Sequence, residues 1–314
     1  MLSYQNYSTK LNEKDDYLIM FKSTNFLNTE TISLDKEITL LGVKQTPFAS
    51  LLMGMGKIGK ADAPTHTWRE VTLDDTDDIS VIEGNKNIQF YQSGRAQLSN
   101  HCEIFQKGVS VSNTVQAMAG NGIKNHFAQE TSRRLLELKM NMEKKLTGGT
   151  KNDGSTTPFI RRLGGIENWV DSGNIVNAST PLVVSEDEII ATIKKLWDKG
   201  GSGSYIGLVN ANIKSQIDEL YKDAYHYVAQ ENTFGITVNR IQTSYGTVDL
   251  ILTPYADAEL MTVFDPNDLE IDYLRQPQFN PLGATGDATE GFVVAEATLY
   301  VASPKRVAQY NIGS

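Results

Sequence analysis

The stretch IKNHFAQETSRRLLELKMNMEKKLTGG, residues 123–149, carries the strongest local signal in the chain. Ile123, Phe127, Thr131, Leu135, Leu138, Met142 and Leu146 recur at steps of three or four, so a helix would set them on one stripe. Lys144 and Lys145 fall near the negative end of such a helix, and Gly148 stops it. The spacing predicts a helix over residues 123–147, roughly 36 Å long at about 1.5 Å per residue. A Leu/Met stripe of this kind is packing surface rather than a cofactor box.

Upstream of that helix, residues 65–105 alternate polar and apolar side chains rich in Thr, Val, Ile and aromatics, in THTWREVTL, ISVIEGNKNIQF and GRAQLSNHCEIF. That pattern predicts strands, with the acidic DDTDD as a solvated tip: a long β-hairpin arm over residues 62–105. Asp74, Asp75, Asp77 and Asp78 raise the possibility of calcium, but the stretch lacks the glycine and closing glutamate of a helix–loop–helix site, so a solvated turn is expected. Before the hairpin, TPFASLLMGMG offers Thr46 as N-cap and Pro47 at the first helical position.

The same segment runs into GMGKIGKA, residues 54–61, which satisfies two nucleotide patterns. Gly54, Gly56 and Gly59 fit G-x-G-x-x-G, and Gly54, Gly59 and Lys60 fit the phosphate loop. Both patterns need a buried strand delivering the glycines and a helix beginning after them. Here a helix precedes, Pro64 follows closely, and Ala61 stands where a magnesium-binding Ser or Thr belongs. No nucleotide is expected, and the glycines read as a hinge at the end of the unit 46–61.

Downstream, KNDGSTTPFIRRLGGIENWV is a Gly/Pro-punctuated connection into a second region. Ser185 and Glu188 form a capping box opening SEDEIIATIKKLWDKG; SYIGLVN reads as a buried strand and ANIKSQIDELY as a helix. GITVNRIQTSYGTVDLILT reads as two strands joined at Ser244, Tyr245 and Gly246, giving an α/β region near 180–265. The tail EGFVVAEATLYVASPKRVAQYNI predicts two strands broken at Pro304, returning to pack on the long helix.

The whole chain has 314 residues, a net charge of −9, one cysteine and four scattered histidines. One cysteine excludes an internal disulfide, and the histidines show no zinc spacing, so no metal is expected. His101 and Cys102 are adjacent, but neighbours on a strand face opposite ways and cannot share a proton. The charge argues against a surface that grips nucleic acid. No apolar run spans a bilayer and no export signal opens the chain, so a cytoplasmic site of synthesis is expected. No catalytic constellation is visible, and the chain does not read as an enzyme; no cofactor is expected.

In order, the elements are a polar arm, a short helix, a long hairpin, a long helix, an α/β region and a returning strand pair. With LLGVKQTPFASLL, HTWREVTL, EGN, LSNHCEIFQKGVSVSNTVQAM, LGGIENWV and EATLYVASPKRVAQY, this order resembles the major capsid protein of tailed double-stranded DNA phages, the Hong Kong ninety-seven type fold. The likeness is to the group with a Thr-Pro-Phe segment before a Trp-bearing extended loop. It implies an α+β fold: N-terminal arm 1–45, extended loop 62–105, peripheral domain 106–180 with a spine helix, axial domain 181–265, and return strands of the peripheral domain 266–314. It places Thr46, Pro47 and Phe48 at the base of the arm, Trp68 and Glu83 in the extended loop, and Leu135 and Leu138 on the spine.

The same resemblance implies pentamers and hexamers in an icosahedral shell around DNA, with a portal and decoration proteins as possible partners. It offers no active site. No long charged helical segment precedes the arm, which implies a separate scaffold protein or none. The candidate intersubunit and hinge residues are Gly54, Gly56, Gly59, Trp68 and Glu83. An encapsulin-like compartment and a tail-tube protein are the alternatives.

Overall fold

The computed structural model describes residues 46–72, 78–88, 90–118, 126–220, 227–233, 236–283 and 286–313. The arm at 1–45, Asp74, Asp75 and Asp77, and Ile123 lie outside them.

Helix α1 (Pro47–Gly54) begins on its proline as the sequence predicts, but Thr46 makes no side-chain cap. Strand β1 (Ile58–Lys60) follows, then β2 (Thr65–Thr72) and β3 (Gly94–His101), an antiparallel hairpin with Thr65 opposite His101 and Thr72 opposite Gly94. The segment ISVIEGNKNIQF, expected as a strand, forms none among its described residues. It has no ladder partner, and Asn85 instead turns the chain on itself, its Oδ1 accepting the Asn87 N–H at 2.9 Å.

Strand β4 (Glu103–Ser112) leads into the short α2 (Asn113–Ala117), capped by Ser112 Oγ, which accepts the Val115 N–H. Helix α3 (His126–Gly148) is the long helix, about 35 Å at about 1.5 Å per residue. Its stripe is fully buried at Leu138, Met142 and Leu146. At Leu135 it is half-buried.

Then come β5 (Ile175–Asn177), α4 (Glu186–Asp198), β6 (Ser204–Val209), α5 (Ala211–Leu220), β7 (Tyr227–Thr233), β8 (Ile236–Thr243) and β9 (Gly246–Leu252). The chain ends with β10 (Leu260–Phe264), β11 (Leu269–Pro281), β12 (Ala288–Val301) and β13 (Val307–Asn311). A four-stranded sheet runs β1-β11-β12-β4, and a seven-stranded sheet runs β5-β13-β10-β6-β9-β8-β7. Within the larger sheet β6 and β9 are parallel while β8 and β9 form the hairpin predicted around Ser244 and Tyr245.

Two expectations change here. The tail strands separate: β12 lies in the four-stranded sheet, whereas β13 inserts between β5 and β10 of the larger one. A turn at Pro304–Arg306, capped by Ser303, redirects the chain, and the wholly buried Tyr310 then anchors β13. The capping box also fails. Ser185 makes no side-chain cap bond, and the reciprocal bond is replaced as well: the Ser185 N–H donates to the Tyr310 hydroxyl at 3.1 Å, while Glu188 accepts the Ser179 N–H at 2.7 Å and the Tyr310 hydroxyl at 2.6 Å.

The chain divides into two compact units. The smaller holds Gln106–Leu138 and Pro277–Val294. Its core is Val109, Val111 and Val115 with Phe127, whose ring meets Phe279 edge-on at 5.7 Å. The larger unit packs Ile189, Ile193 and Leu196 of α4 and Ile213 and Ile217 of α5 on Val248, Leu250, Met261, Val263 and Tyr310 of the sheet.

Candidate functional site

The glycine stretch has the reverse order of a phosphate loop: α1 comes before it and a strand after. Gly54 is the last residue of α1, and Gly56 turns the chain with φ +72 and open space where a Cβ would stand. Gly59 sits inside β1, opposite Asp272 in a parallel ladder that runs from Ile58–Ile271 to Lys60–Tyr273. A Cβ there would collide with the Asp272 carboxylate, so the glycine answers a close approach rather than a need for motion. Lys60 is exposed beside Asp62.

Immediately beyond β1 the hairpin is fastened to the larger unit through one face of β2. Three alternate residues do this, as strand periodicity requires. His66 Nε2 lies 3.1 Å from Asp272 Oδ2. Trp68 packs at 5.4 Å from Trp169 and 4.9 Å from Tyr300, between ring centroids. Glu70 accepts the Ser303 hydroxyl and lies 3.6 Å from the Lys305 ammonium. Burial raises the Asp272 carboxyl above its ordinary value, and the neighbouring His66 works against that rise.

The facing strand is tied by Asn100. Its fully buried amide donates to the Gly164 carbonyl at 3.0 Å and the Leu299 carbonyl at 2.8 Å, and accepts the Gly164 N–H at 2.8 Å. His101 and Cys102 diverge as expected. His101 Nδ1 meets Thr65 Oγ1 at 3.1 Å, while the Cys102 thiol is buried against the Ala63 carbonyl and pushed up to about 11.

Among the described residues of the hairpin past Thr72 and Gly94, several apolar side chains are exposed. The described part of its far end presents Ile79, Val81, Ile82, Ile88 and Phe90 to solvent, with Ile82 81% and Phe90 92% exposed. Glu83 sits at the exposed turn beside Gly84. Asp78 is exposed too and accepts the Ser80 N–H at 3.0 Å, a local turn. Trp68 and Glu83, grouped by the sequence reading, therefore belong to opposite ends of the hairpin: one to its root, the other to its tip.

Sequence reasoning missed the carboxylate that caps α1. Glu143 of α3 is wholly buried, and its two oxygens accept the Phe48 N–H at 2.8 Å and the Ala49 N–H at 2.7 Å. It caps α1 across 95 residues in place of Thr46. Burial pushes this carboxyl up to about 7, because two N–H bonds do not replace lost water. Glu103 and Glu167 repeat the device, accepting the Leu163 and Asp257 N–H groups, and burial raises both. Among the described residues no group of three or more His, Cys, Asp or Glu is placed to hold a metal ion.

The hairpin is thus fixed at its root and carries exposed apolar residues at the described part of its far end. The SU10 major capsid protein family matches residues 20–312, and the chain belongs to that family. Solved structures share the fold at low identity. The capsid asymmetric unit of cyanophage A-1(L) is 10% identical with a TM-score of 0.64, over 92% of this chain and 98% of that one. The capsid of a native GTA particle is 8% identical with a TM-score of 0.62, over 98% and 100%. The SrpI encapsulin of Synechococcus elongatus PCC 7942 is 12% identical with a TM-score of 0.60, over 88% and 92%. A search of curated proteins gives no significant match. The protein is a major capsid protein of the phage type, and the α+β fold expected from its sequence is present.

Proposed function

We propose that copies of this chain close into pentamers and hexamers of an icosahedral shell around double-stranded DNA, each hairpin lying on a neighbour. The observation that carries this is the contrast within one hairpin: His66, Trp68 and Glu70 hold its root, while Ile82 and Phe90 at its end have no cover. A two-stranded ribbon does not bury enough apolar surface to be stable alone. Head-to-tail contacts close into rings when the rotation allows.

The role is structural rather than catalytic. A separate scaffold protein, a portal and decoration proteins are the partners this reading assigns, and host cytoplasm is where the chain is made. The net charge of −9 suits a container whose walls do not hold DNA. Of the three candidate hinge glycines, Gly56 is the one whose positive φ a side chain would strain; it turns the chain from α1 to β1, its N–H donating to the Met53 carbonyl at 3.0 Å and the Lys57 N–H to the Leu52 carbonyl at 2.9 Å. Trp68 fixes the arm's direction and Glu83 reaches the neighbour.

Negative-stain microscopy and sedimentation of the expressed chain, alone and with its phage neighbours, test the proposal. Closed shells are expected. A solitary particle at high concentration, with residues 78–93 protected from protease, refutes it. The encapsulin likeness keeps a cargo compartment as the second reading. Purified particles holding a cargo enzyme and no DNA would favour that reading.

A further inference from the structure

The root of the hairpin encloses a carboxylate whose countercharge depends on one imidazole. Glu270 and Asp272 stand two residues apart on β11, so their side chains share a face. Both crowd the same spot: a Cβ built on Gly59 of the facing β1 would overlap Asp272 Oδ1 and lie 3.2 Å from Glu270 Oε2. The Asp272 side chain is 5% exposed, and His66 Nε2 lies 3.1 Å from its Oδ2. Among the described residues no other cation pairs with either carboxylate; Lys60, next to Gly59, is turned to Asp62.

The groups around the pair add no countercharge. The His66 ring has Trp68 at 5.7 Å and Tyr300 at 6.3 Å between centroids, with the uncharged Asn100 opposite it on β3. Burial raises the Tyr300 hydroxyl and the Cys102 thiol, and nearby carboxylates, Asp272 among them, add to both rises. Arg161, which acts on Cys102, is bound to Glu296 at 3.0 Å, and Glu70 further along β2 is matched by Lys305.

An imidazole ordinarily changes charge between about pH 5 and 8. Protonated, it gives the buried carboxylate the cation it needs; neutral, it leaves Asp272 and Glu270 side by side with like charge. The Asp272 carboxyl acts in the same sense. Burial raises it, His66 opposes the rise and Glu270 adds to it. A carboxyl raised on folding stabilises in its protonated form, so its contribution is complete below the ordinary 3.8 and fades as pH climbs. Both groups hold the root more firmly at low pH.

We propose that His66 is a pH-sensitive lock on the hairpin: its imidazolium fastens β2 to β11, and loss of that proton to water loosens the root. The side chain is 23% exposed, which leaves the proton a way out. The lock lies within a single chain and goes beyond the shell-forming role proposed above.

Hydrogen exchange of the dilute, unassembled full chain tests it, with each rate divided by the intrinsic amide rate at the same pH. Between about pH 5.5 and about pH 8 the protection of Thr65–Thr72 should fall roughly tenfold in wild type and stay level in His66→Gln, which keeps a polar side chain but does not titrate. Wild-type protection that does not change overturns the lock, and so does a fall that persists in His66→Gln. Glu143→Gln separates the other buried acid: the fall at β2 should survive it, and a fall that disappears there belongs to Glu143 and overturns the lock. If His66→Gln does not fold, Glu270→Gln decides. It keeps the ion pair and removes the second carboxylate, so the fall should shrink, and an undiminished fall overturns the proposal.

Discussion

Glu143→Gln should change the pH dependence of stability in a way that reveals the buried cap. Both Glu143 oxygens are taken by backbone N–H groups, and burial pushes the carboxyl from 4.5 up to about 7. At about 1.4 kcal/mol per unit, the rise corresponds to about 3 kcal/mol. The folded chain holds this proton more tightly than the unfolded chain, so the contribution is complete below pH 4.5 and is lost as pH rises through about 7. Glutamine does not titrate, and its NH2 cannot accept, so one N–H of α1 loses its partner at a cost of about 1–2 kcal/mol. The variant should therefore be less stable than wild type near pH 5, with the difference vanishing or reversing by about pH 8. Guanidinium unfolding of dilute, unassembled chain, followed by tryptophan fluorescence across that window, reads the crossing. A constant difference at every pH would refute a raised Glu143.

Three further outcomes follow from the root of the hairpin. Trp68→Ala removes ring contacts at 4.9 and 5.4 Å and should cost about 2–3 kcal/mol, with faster proteolysis of the hairpin; an unchanged digestion rate contradicts the anchor. Gly59→Ala drives a Cβ into Asp272 and should cost about 1–3 kcal/mol in thermal unfolding, whereas calorimetry with magnesium and ATP should show no heat for wild type; measurable ATP binding would restore the phosphate-loop reading. Asn100→Ala strands the buried Gly164 N–H and takes a donor from the Leu299 carbonyl, while the Gly164 carbonyl keeps the Trp169 indole N–H, and should cost about 1–3 kcal/mol in denaturant melts, so a neutral substitution would mean that water replaces the amide.

Those same residues mark what the sequence could and could not convey. The α3 stripe, the β2–β3 and β8–β9 hairpins and the helix beginning at Pro47 were legible because periodicity and turn chemistry are local. The clamps were not. Glu143 reaches Phe48 and Ala49, Asn100 reaches Gly164 and Leu299, and Asn174 reaches the carbonyls of Lys305 and Val307. Each partner is backbone, so no side-chain pairing exists for a sequence reading to find. Thr46 and Ser185 misled for a related reason: distant groups had taken over, at α1 the cap itself and at α4 the Glu188 that the capping box needed. Strand β13 lies in the larger sheet, paired with β10, and there Tyr310 is buried and its hydroxyl meets Glu188, long-range contacts that alternation alone does not encode.

The hairpin's division into root and tip also bears on how a shell of such chains can form without error. Burying an apolar side chain the size of Ile or Phe contributes about 1.5–3 kcal/mol, so the five exposed at the tip offer about 8–15 kcal/mol when fully covered. Association costs about 4–15 kcal/mol in lost freedom. One seated tip is thus close to balance, and a mismatched neighbour leaves again. A subunit inside a closed ring is held at two such contacts, its own tip and its neighbour's, while the ordering cost of the second is already met. Rings should persist where pairs do not, and the His66, Trp68 and Glu70 anchors make this selective by fixing the direction in which each tip leaves the body. Dilution series of the unassembled chain should accordingly pass from monomer to rings without a populated dimer, and a stable dimer would show that a single seat suffices.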